Sequence, residues 1–283
     1  MVTGRLAGLR DVASSIPSDD ASLSGFLEML YRQKGWDFRN YKKSSLGRRI
    51  AVRLNACRVS SYDDYCAILK SNPDEYNRLF STMTVKVSEF FREPMVFESL
   101  REVIVSRFSD ARGLRAWCCG CATGDEAYTI GILFAECLTP WALKDAKIFA
   151  TDIDSNAIDT ARRGLYREDS IENVGADLRA RYFIRADGGY RIRYDIRNIV
   201  RFGTLDIVRD PPIPRIDILL CRNLLIYFEK DLQAKVIEKL DYALKPGGIL
   251  VLGKAEVLPP QFAPLYHELR ERTRIYIKGG GLL

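Results

Sequence analysis

The chain has 283 residues, 47% hydrophobic, 28% charged and 11% aromatic, which excludes a disordered, collagen-like or disulfide-scaffold protein and predicts about two globular domains at roughly 150 residues each. Its 43 lysines and arginines against 37 aspartates and glutamates leave a formal charge of +6, too mild for a dedicated nucleic-acid binder but compatible with an acidic macromolecular partner. No apolar run reaches the roughly 18 residues of a membrane span, no apolar stretch follows a basic start, and the seven cysteines are unevenly spread, so the chain is expected in a reducing cytoplasm without membrane insertion.

Residues 1–20 are small and polar, are interrupted by Pro17 and keep no apolar period, which predicts a loose tail. From Leu23 the pattern turns helical. Phe26, Leu27, Leu30 and Tyr31 recur at three- and four-residue spacing, then Leu46, Ile50 and Leu54, then Tyr62, Tyr65 and Leu69, then Tyr76, Leu79, Phe80 and Met83. Pro73 falls early in the last of these, where a missing N–H is tolerated. An all-α domain is predicted over 21–84, a linker over 85–100 and a second domain over 101–283.

The second domain has a different texture. Short apolar runs closed by glycine or acidic residues precede amphipathic segments, the βαβ pattern of a parallel sheet with covering helices. Strands are predicted at 114–119, 147–151, 216–221 and 249–252, and helices at 125–138, 155–163 and 231–244, the last stopped by Lys245-Pro246-Gly247-Gly248. Between them, 182–184, 190–194 and 199–202 alternate around Gly188-Gly189, which predicts a small antiparallel insertion over about 180–203.

The segment from Trp117 to Glu126 joins a strand to a helix through Gly120, Ala122, Thr123 and Gly124, where backbone can approach a ligand closely. It lacks GxGxxG, and Asp125 and Glu126 at the helix entrance would repel a pyrophosphate. The next strand ends in Ala150-Thr151-Asp152-Ile153-Asp154, an acidic position from which a carboxylate accepts ribose hydroxyls. Either aspartate also suits the cap of the following helix. A cationic nucleoside without phosphates fits both features, and S-adenosylmethionine is the common cofactor of that description.

Five motifs in order are similar to those of the CheR family of chemotaxis-receptor glutamate O-methyltransferases: Ser88-Glu89-Phe90-Phe91-Arg92-Glu93, the run from Gly120 to Tyr128, the run from Ala150 to Asp154, the run from Cys221 to Phe228, and Leu244-Lys245-Pro246-Gly247-Gly248. The resemblance covers the chain from about Leu23 onward. It implies a helical N-terminal domain and a Rossmann-like α/β methyltransferase domain with a small antiparallel β-insertion. Glu126 would contact the cofactor near its methionine end and Asp152 its ribose, over the Gly120 loop. Ser88 and Arg92 would close the site, with Arg92 near the transferring methyl. Asp206 and Ile207 would lie near adenine, and Asn223 and Leu224 near the methionyl portion. Arg222 and Tyr227 would stand beside the acceptor carboxylate, so that Arg92, Arg222 and Tyr227 form the catalytic set, with no metal.

A glutamate is already ionised at neutral pH, so methyl transfer to it needs in-line placement and exclusion of water more than a base. An arginine fork and a tyrosine hydroxyl serve to orient the acceptor. The chain departs from the family pattern at Lys86, where asparagine is common, at Ala127, where proline is common, and at Gly253-Lys254-Ala255-Glu256, where Gly-His-Ser-Glu is common. These departures motivate the alternative of a non-catalytic, cofactor-binding receptor adaptor. Lys42, Lys43, Arg48, Arg49, Arg53 and Arg58 form a basic stretch with Arg49 and Arg53 one turn apart. It is either a solvated helix face or, by the resemblance, a surface for the acidic methylation helices of a receptor. Cys118 and Cys121 stand alone as C-x-x-C, which reads as buried thiols rather than a zinc site.

Overall fold

A computed structural model of the chain describes residues 20–85 and 88–279. These residues form two compact units: one ends at Val85 and takes in Tyr227–Leu232, and the other holds the rest. The tail predicted over 1–20 lies outside the described residues as far as residue 19, and Asp20 opens a helix.

The helical unit contains α1 (Asp20–Lys34), α2 (Lys43–Ala56), α3 (Tyr62–Ser71) and α4 (Pro73–Met83). Each forms where apolar side chains recur on one stripe, and those stripes meet in one core of Phe26, Leu30, Leu46, Ile50, Tyr65 and Leu79. The Ser61 hydroxyl accepts the Asp64 N–H to start α3, and Pro73 occupies the first turn of α4. Inside this unit Glu75 is 1% exposed. Its carboxylate accepts from Nε and Nη2 of Arg53, both at 2.8 Å, and from the Tyr65 hydroxyl at 2.7 Å.

That geometry corrects the reading of the basic stretch. Arg53 is the counter-ion of a buried carboxylate, because an unpaired charge there would be costly. Arg49 donates to the Met83 carbonyl at 2.6 Å and to the Ser45 hydroxyl at 3.2 Å, and its guanidinium lies 4.5 Å from the centre of the Tyr227 ring. Arg48 and Arg58 are exposed, and Lys42 and Lys43 half-buried.

In the larger unit, α5 (Pro94–Phe108) precedes β1 (Arg115–Cys119), α6 (Asp125–Cys137), α7 (Pro140–Asp145), β2 (Lys147–Asp152) and α8 (Ser155–Arg163). Then come β3 (Leu165–Tyr166), α9 (Ala176–Tyr182), β4 (Phe183–Ala186), β5 (Gly189–Ile192), α10 (Tyr194–Ile199), β6 (Val200–Thr204) and β7 (Ile216–Cys221). The chain finishes through α11 (Lys230–Ala243), β8 (Leu244–Leu252), β9 (Tyr266–Glu268) and β10 (Ile275–Lys278). The main sheet has the order β6-β2-β1-β7-β8-β10-β9. Its first five strands are parallel and the last two antiparallel. β1 has β2 on one side and β7 on the other, so the chain reverses its winding there and leaves a crevice beyond the carboxyl ends of the strands.

Three expectations change. The linker predicted over 85–100 contains the start of α5, whose Val96, Phe97, Leu100 and Ile104 are buried in the core of the larger unit. The antiparallel insertion consists of β3, β5 and β4; the apolar segment 199–202 instead becomes β6, paired in parallel with β2 at the sheet edge and preceded by α10. Alternating apolar residues suit either sheet, and β6 lies at the edge with Val200 its one buried residue. Lys245-Pro246-Gly247-Gly248 ends α11 but is absorbed as an irregularity at the start of β8, where the register shifts between Ile216 and Ile218.

Removing the Glu75 carboxylate leaves Arg53 uncompensated, so Glu75→Ala is expected to lower unfolding stability by about 2 kcal/mol. The double change Arg53→Met/Glu75→Met should recover most of it. Urea denaturation checks both; a Glu75→Ala loss below about 0.5 kcal/mol would show that the pair carries no stability.

Candidate active site

The turn between β1 and α6 is held from β2. Gly120 N–H and Cys121 N–H donate to the Thr151 carbonyl at 2.8 and 2.9 Å, and Ala122 N–H donates to the Asp152 carboxylate at 2.9 Å. Gly120 has φ +78, and a Cβ there would come within 3.1 Å of the Leu224 side chain, so the glycine is what lets the two loops approach. The other oxygen of Asp152 accepts from Asp154 N–H at 2.9 Å. Asp154 caps α8 by accepting from Asn156 and Ala157 N–H, while Asp152 orders the turn.

A second segment arches through Phe91, Arg92 and Glu93. Phe91 and Glu93 both have positive φ, 51 and 61, a conformation that holds only when neighbours enforce it. The Phe91 N–H donates to the Thr129 hydroxyl at 3.2 Å. On the far side, Arg222 donates to the Arg92 carbonyl and to the Glu93 carboxylate, each at 2.9 Å, and its other terminal nitrogen donates to Glu126 at 2.8 Å. The arch thus presents the Arg92 side chain, whose guanidinium makes no hydrogen bond among the described residues. Ser88 lies close enough to Asp125, at the entrance of α6, to pull its carboxyl partly back down.

This placement bears on the acceptor set. The Arg222 side chain is 1% exposed and committed to two carboxylates, so in this structure it ties the arch to α6 instead of standing open to an acceptor. Burial by itself lowers the affinity of its guanidinium for a proton, but Glu126 and Glu93 outweigh that and the net direction is up. Tyr227 groups with the helical unit, where its carbonyl accepts from Lys42 N–H at 2.8 Å. Lys86 lies outside the described residues.

The loop after β7 is held by a residue that sequence reasoning passed over. Asn223 has φ +59, and the buried Glu256 carboxylate accepts from Asn223 N–H at 2.9 Å, Leu225 N–H at 2.7 Å and Gly253 N–H at 2.7 Å. A Cβ at Gly253 would come within 2.7 Å of that carboxylate. In the altered run Gly253-Lys254-Ala255-Glu256, the two middle residues are exposed while Gly253 and Glu256 are buried. The departure from the family pattern therefore spares the residues that hold the loop. After β6, Leu205 N–H donates to the Asp152 carbonyl at 3.0 Å, which brings the half-buried Asp206 and buried Ile207 beside the end of β2.

Burial pushes the carboxyl groups of Asp125, Glu126, Asp206 and Glu256 upward from their ordinary range; Arg222 pulls Glu126 part of the way back, and backbone amides do the same for Glu256. Cys118 and Cys121 are wholly buried and their thiols are pushed well up, which makes them poor thiolates.

Residues 86–274 match the family described as CheR methyltransferase, SAM binding domain, and residues 21–84 match its all-alpha domain. The chain belongs to the CheR methyltransferase family. It is 34% identical over 262 residues to an uncharacterized 104.1 kDa protein of Rhodobacter capsulatus, covering 90% of this chain but only 27% of that one. It is 31% identical over 235 residues to chemotaxis protein methyltransferase 2 of Pseudomonas aeruginosa, covering 81% and 84% of the two chains. With the chemotaxis protein methyltransferase of Salmonella typhimurium the identity is 28% over 263 residues, 90% of each chain.

For a CheR chain the cofactor is S-adenosylmethionine, and the crevice suits it. Carboxyl groups stand at the end of β2 (Asp152), at the start of α6 (Glu126) and just after β6 (Asp206). Asp125 and Glu126 at the α6 entrance disfavour the phosphates of a dinucleotide. No helix among the described residues is long and apolar enough to cross a membrane.

Glu126 attracts a cation only when ionised, and its carboxyl is raised. Cofactor affinity should therefore fall with decreasing pH from above the usual carboxylate range, near 4.5, and not only below it. Arg222→Met removes the pull of the guanidinium and should move that fall to higher pH. Calorimetric dissociation constants between pH 7.5 and 5 check both; an affinity that is flat over this range in the two proteins would remove Glu126 from the cation's surroundings.

Proposed function

We propose that the chain works in the cytoplasm, transferring methyl groups to glutamate side chains in the methylation helices of a chemoreceptor, with methyl esters and S-adenosylhomocysteine as products. The observation that carries this reading is the match of both parts of the chain to the two CheR domains, with relatives named chemotaxis protein methyltransferases aligned over most of its length. The adaptor alternative is weaker, because the substitutions that motivated it within 253–256 fall on exposed positions.

S-adenosylmethionine supplies, when bound, an electrophilic methyl on a sulfonium. Asp152 accepts ribose hydroxyls, Asp206 and Ile207 flank the base, and Asn223 and Leu224 line the methionyl side over Gly120. Glu126 holds positive charge at that end. Arg92, presented by its pinned arch with a guanidinium that makes no hydrogen bond among the described residues, orients the acceptor carboxylate by its planar fork. Because the acceptor is already ionised, no residue needs to take a proton, and the contribution of the site is alignment and exclusion of water. Arg222 acts through Arg92 and Glu126 as a positioning residue. On the receptor side, Lys42, Lys43 and Arg48 would face acidic helices, while Arg49, bound to the Met83 carbonyl, and Arg53, paired with Glu75, serve the helical unit.

Radiolabelled S-adenosylmethionine and a receptor cytoplasmic fragment test the proposal. Label should appear on glutamates and leave as methanol in mild base; base-stable label, or label on other residue types, would refute it. Arg92→Ala is expected to lower kcat about 100-fold while changing cofactor affinity less than about threefold. Equal losses in both would make Arg92 a cofactor-binding residue instead.

A further inference from the structure

The loop over 206–210 has no regular secondary structure, yet its conformation is closely determined. Asp206 Oδ1 accepts from Val208 N–H at 2.9 Å, and Asp210 Oδ2 accepts from Asp206 N–H at 2.8 Å. The Asp206 carbonyl accepts from the N–H groups of Arg209 and Asp210 at 3.1 and 2.7 Å. These bonds close the turn on itself, and Leu205 N–H ties its start to the Asp152 carbonyl. A second attachment comes from α11. Lys239 Nζ donates to the carbonyls of Ile207 at 2.9 Å, Val208 at 2.8 Å and Asp210 at 2.9 Å.

An ammonium has three protons to donate, and here all three go to one loop. Lys239 lies on the same helix as the buried Val236, Ile237 and Leu240, so its stem is carried by a packed element. It contacts the loop from the carbonyl side and so does not compete for the Asp206 carboxylate, whose Oδ1 accepts from Val208 N–H. We infer that Lys239 is a specificity-determining positioning residue: it fixes the loop that recognises the base of the nucleoside, and so sets discrimination in favour of a base carrying an exocyclic amine. The inference rests on the reading that Asp206 and Ile207 flank adenine.

The reasoning predicts a selective defect. An amine on the base donates to the Asp206 carboxylate, whereas an oxo group at the same position opposes its lone pairs. Discrimination depends on where that carboxylate is held, and Lys239 holds it. Lys239→Met keeps helix propensity and an apolar stem but removes all three donors, and Lys239→Arg keeps donors on a cationic head.

Affinities for S-adenosylhomocysteine and S-inosylhomocysteine, measured by calorimetry on the full chain, test this. The unsubstituted protein should prefer the adenine compound by about tenfold or more. Lys239→Met should reduce that preference at least threefold, and Lys239→Arg should retain it. A role confined to stability would lower the melting temperature and leave the ratio unchanged. Asp206→Asn provides the reference. If it changes the ratio and Lys239→Met does not, the inference about Lys239 is overturned while the placement of adenine stands. If Asp206→Asn leaves the ratio unaltered, the placement itself fails. Should Lys239→Met not fold, Lys239→Gln, with two donors, must give an intermediate ratio, and an unchanged one counts against the inference.

Discussion

The buried guanidinium of Arg222 is the interaction on which the rest of the site depends. It sits at the end of β7, beside the strand where the sheet reverses its winding, and binds Glu126 at the start of α6, Glu93 in the arch and the carbonyl of Arg92. Two carboxylates brought together near the end of a sheet would repel one another and resist burial, and a planar cation with a fork of donors offsets both costs. Arg222 thereby joins three parts of the chain that are separated by 96 and 129 residues in sequence. An arginine of this kind specifies geometry more than it adds stability.

The crevice that results is made mostly of backbone under constraint. Phe91, Glu93, Ala122 and Asn223 all have positive φ without being glycine, and each is adjacent to a hydrogen bond that fixes it: Thr129 for Phe91, Arg222 for Glu93, Asp152 for Ala122 and Glu256 for Asn223. Strain of about 1 to 3 kcal/mol at such positions is tolerated where surrounding contacts over-determine the conformation. Arg222, which the family resemblance would place beside the acceptor, is therefore a means of holding loops in place. The proposed methyl transfer to an ionised carboxylate would gain from this arrangement, since its barrier falls through alignment rather than through proton transfer.

Much of this was readable from the residues. The helix over Ser155–Arg163 and the strand over Ile216–Cys221 follow directly from their apolar spacing and caps. What escaped were pairings distant in sequence. Glu256 serves amides 31 and 33 residues earlier, and no local period reports such a bond, although a buried acid three residues after a glycine is a usable signal in retrospect. Arg53 looked like surface charge because the residue that claims it, Glu75, lies on another helix. The start of α5 carried its own signal in Pro94, Val96, Phe97, Leu100 and Ile104, but motif order drew attention to the linker. The segment 199–202 could not be assigned to its sheet from alternation, because what distinguishes the two is the backbone pairing of β6 with β2, a contact distant in sequence.

The central claim is that the crevice beyond β1, β2, β6 and β7 takes a cationic nucleoside and rejects pyrophosphate. Calorimetric titration with S-adenosylmethionine and S-adenosylhomocysteine, against nicotinamide dinucleotides, tests it most directly. The account predicts micromolar binding of the first two, on the order of −8 kcal/mol, and no measurable binding of the dinucleotides. Tight dinucleotide binding with none of S-adenosylmethionine would contradict it.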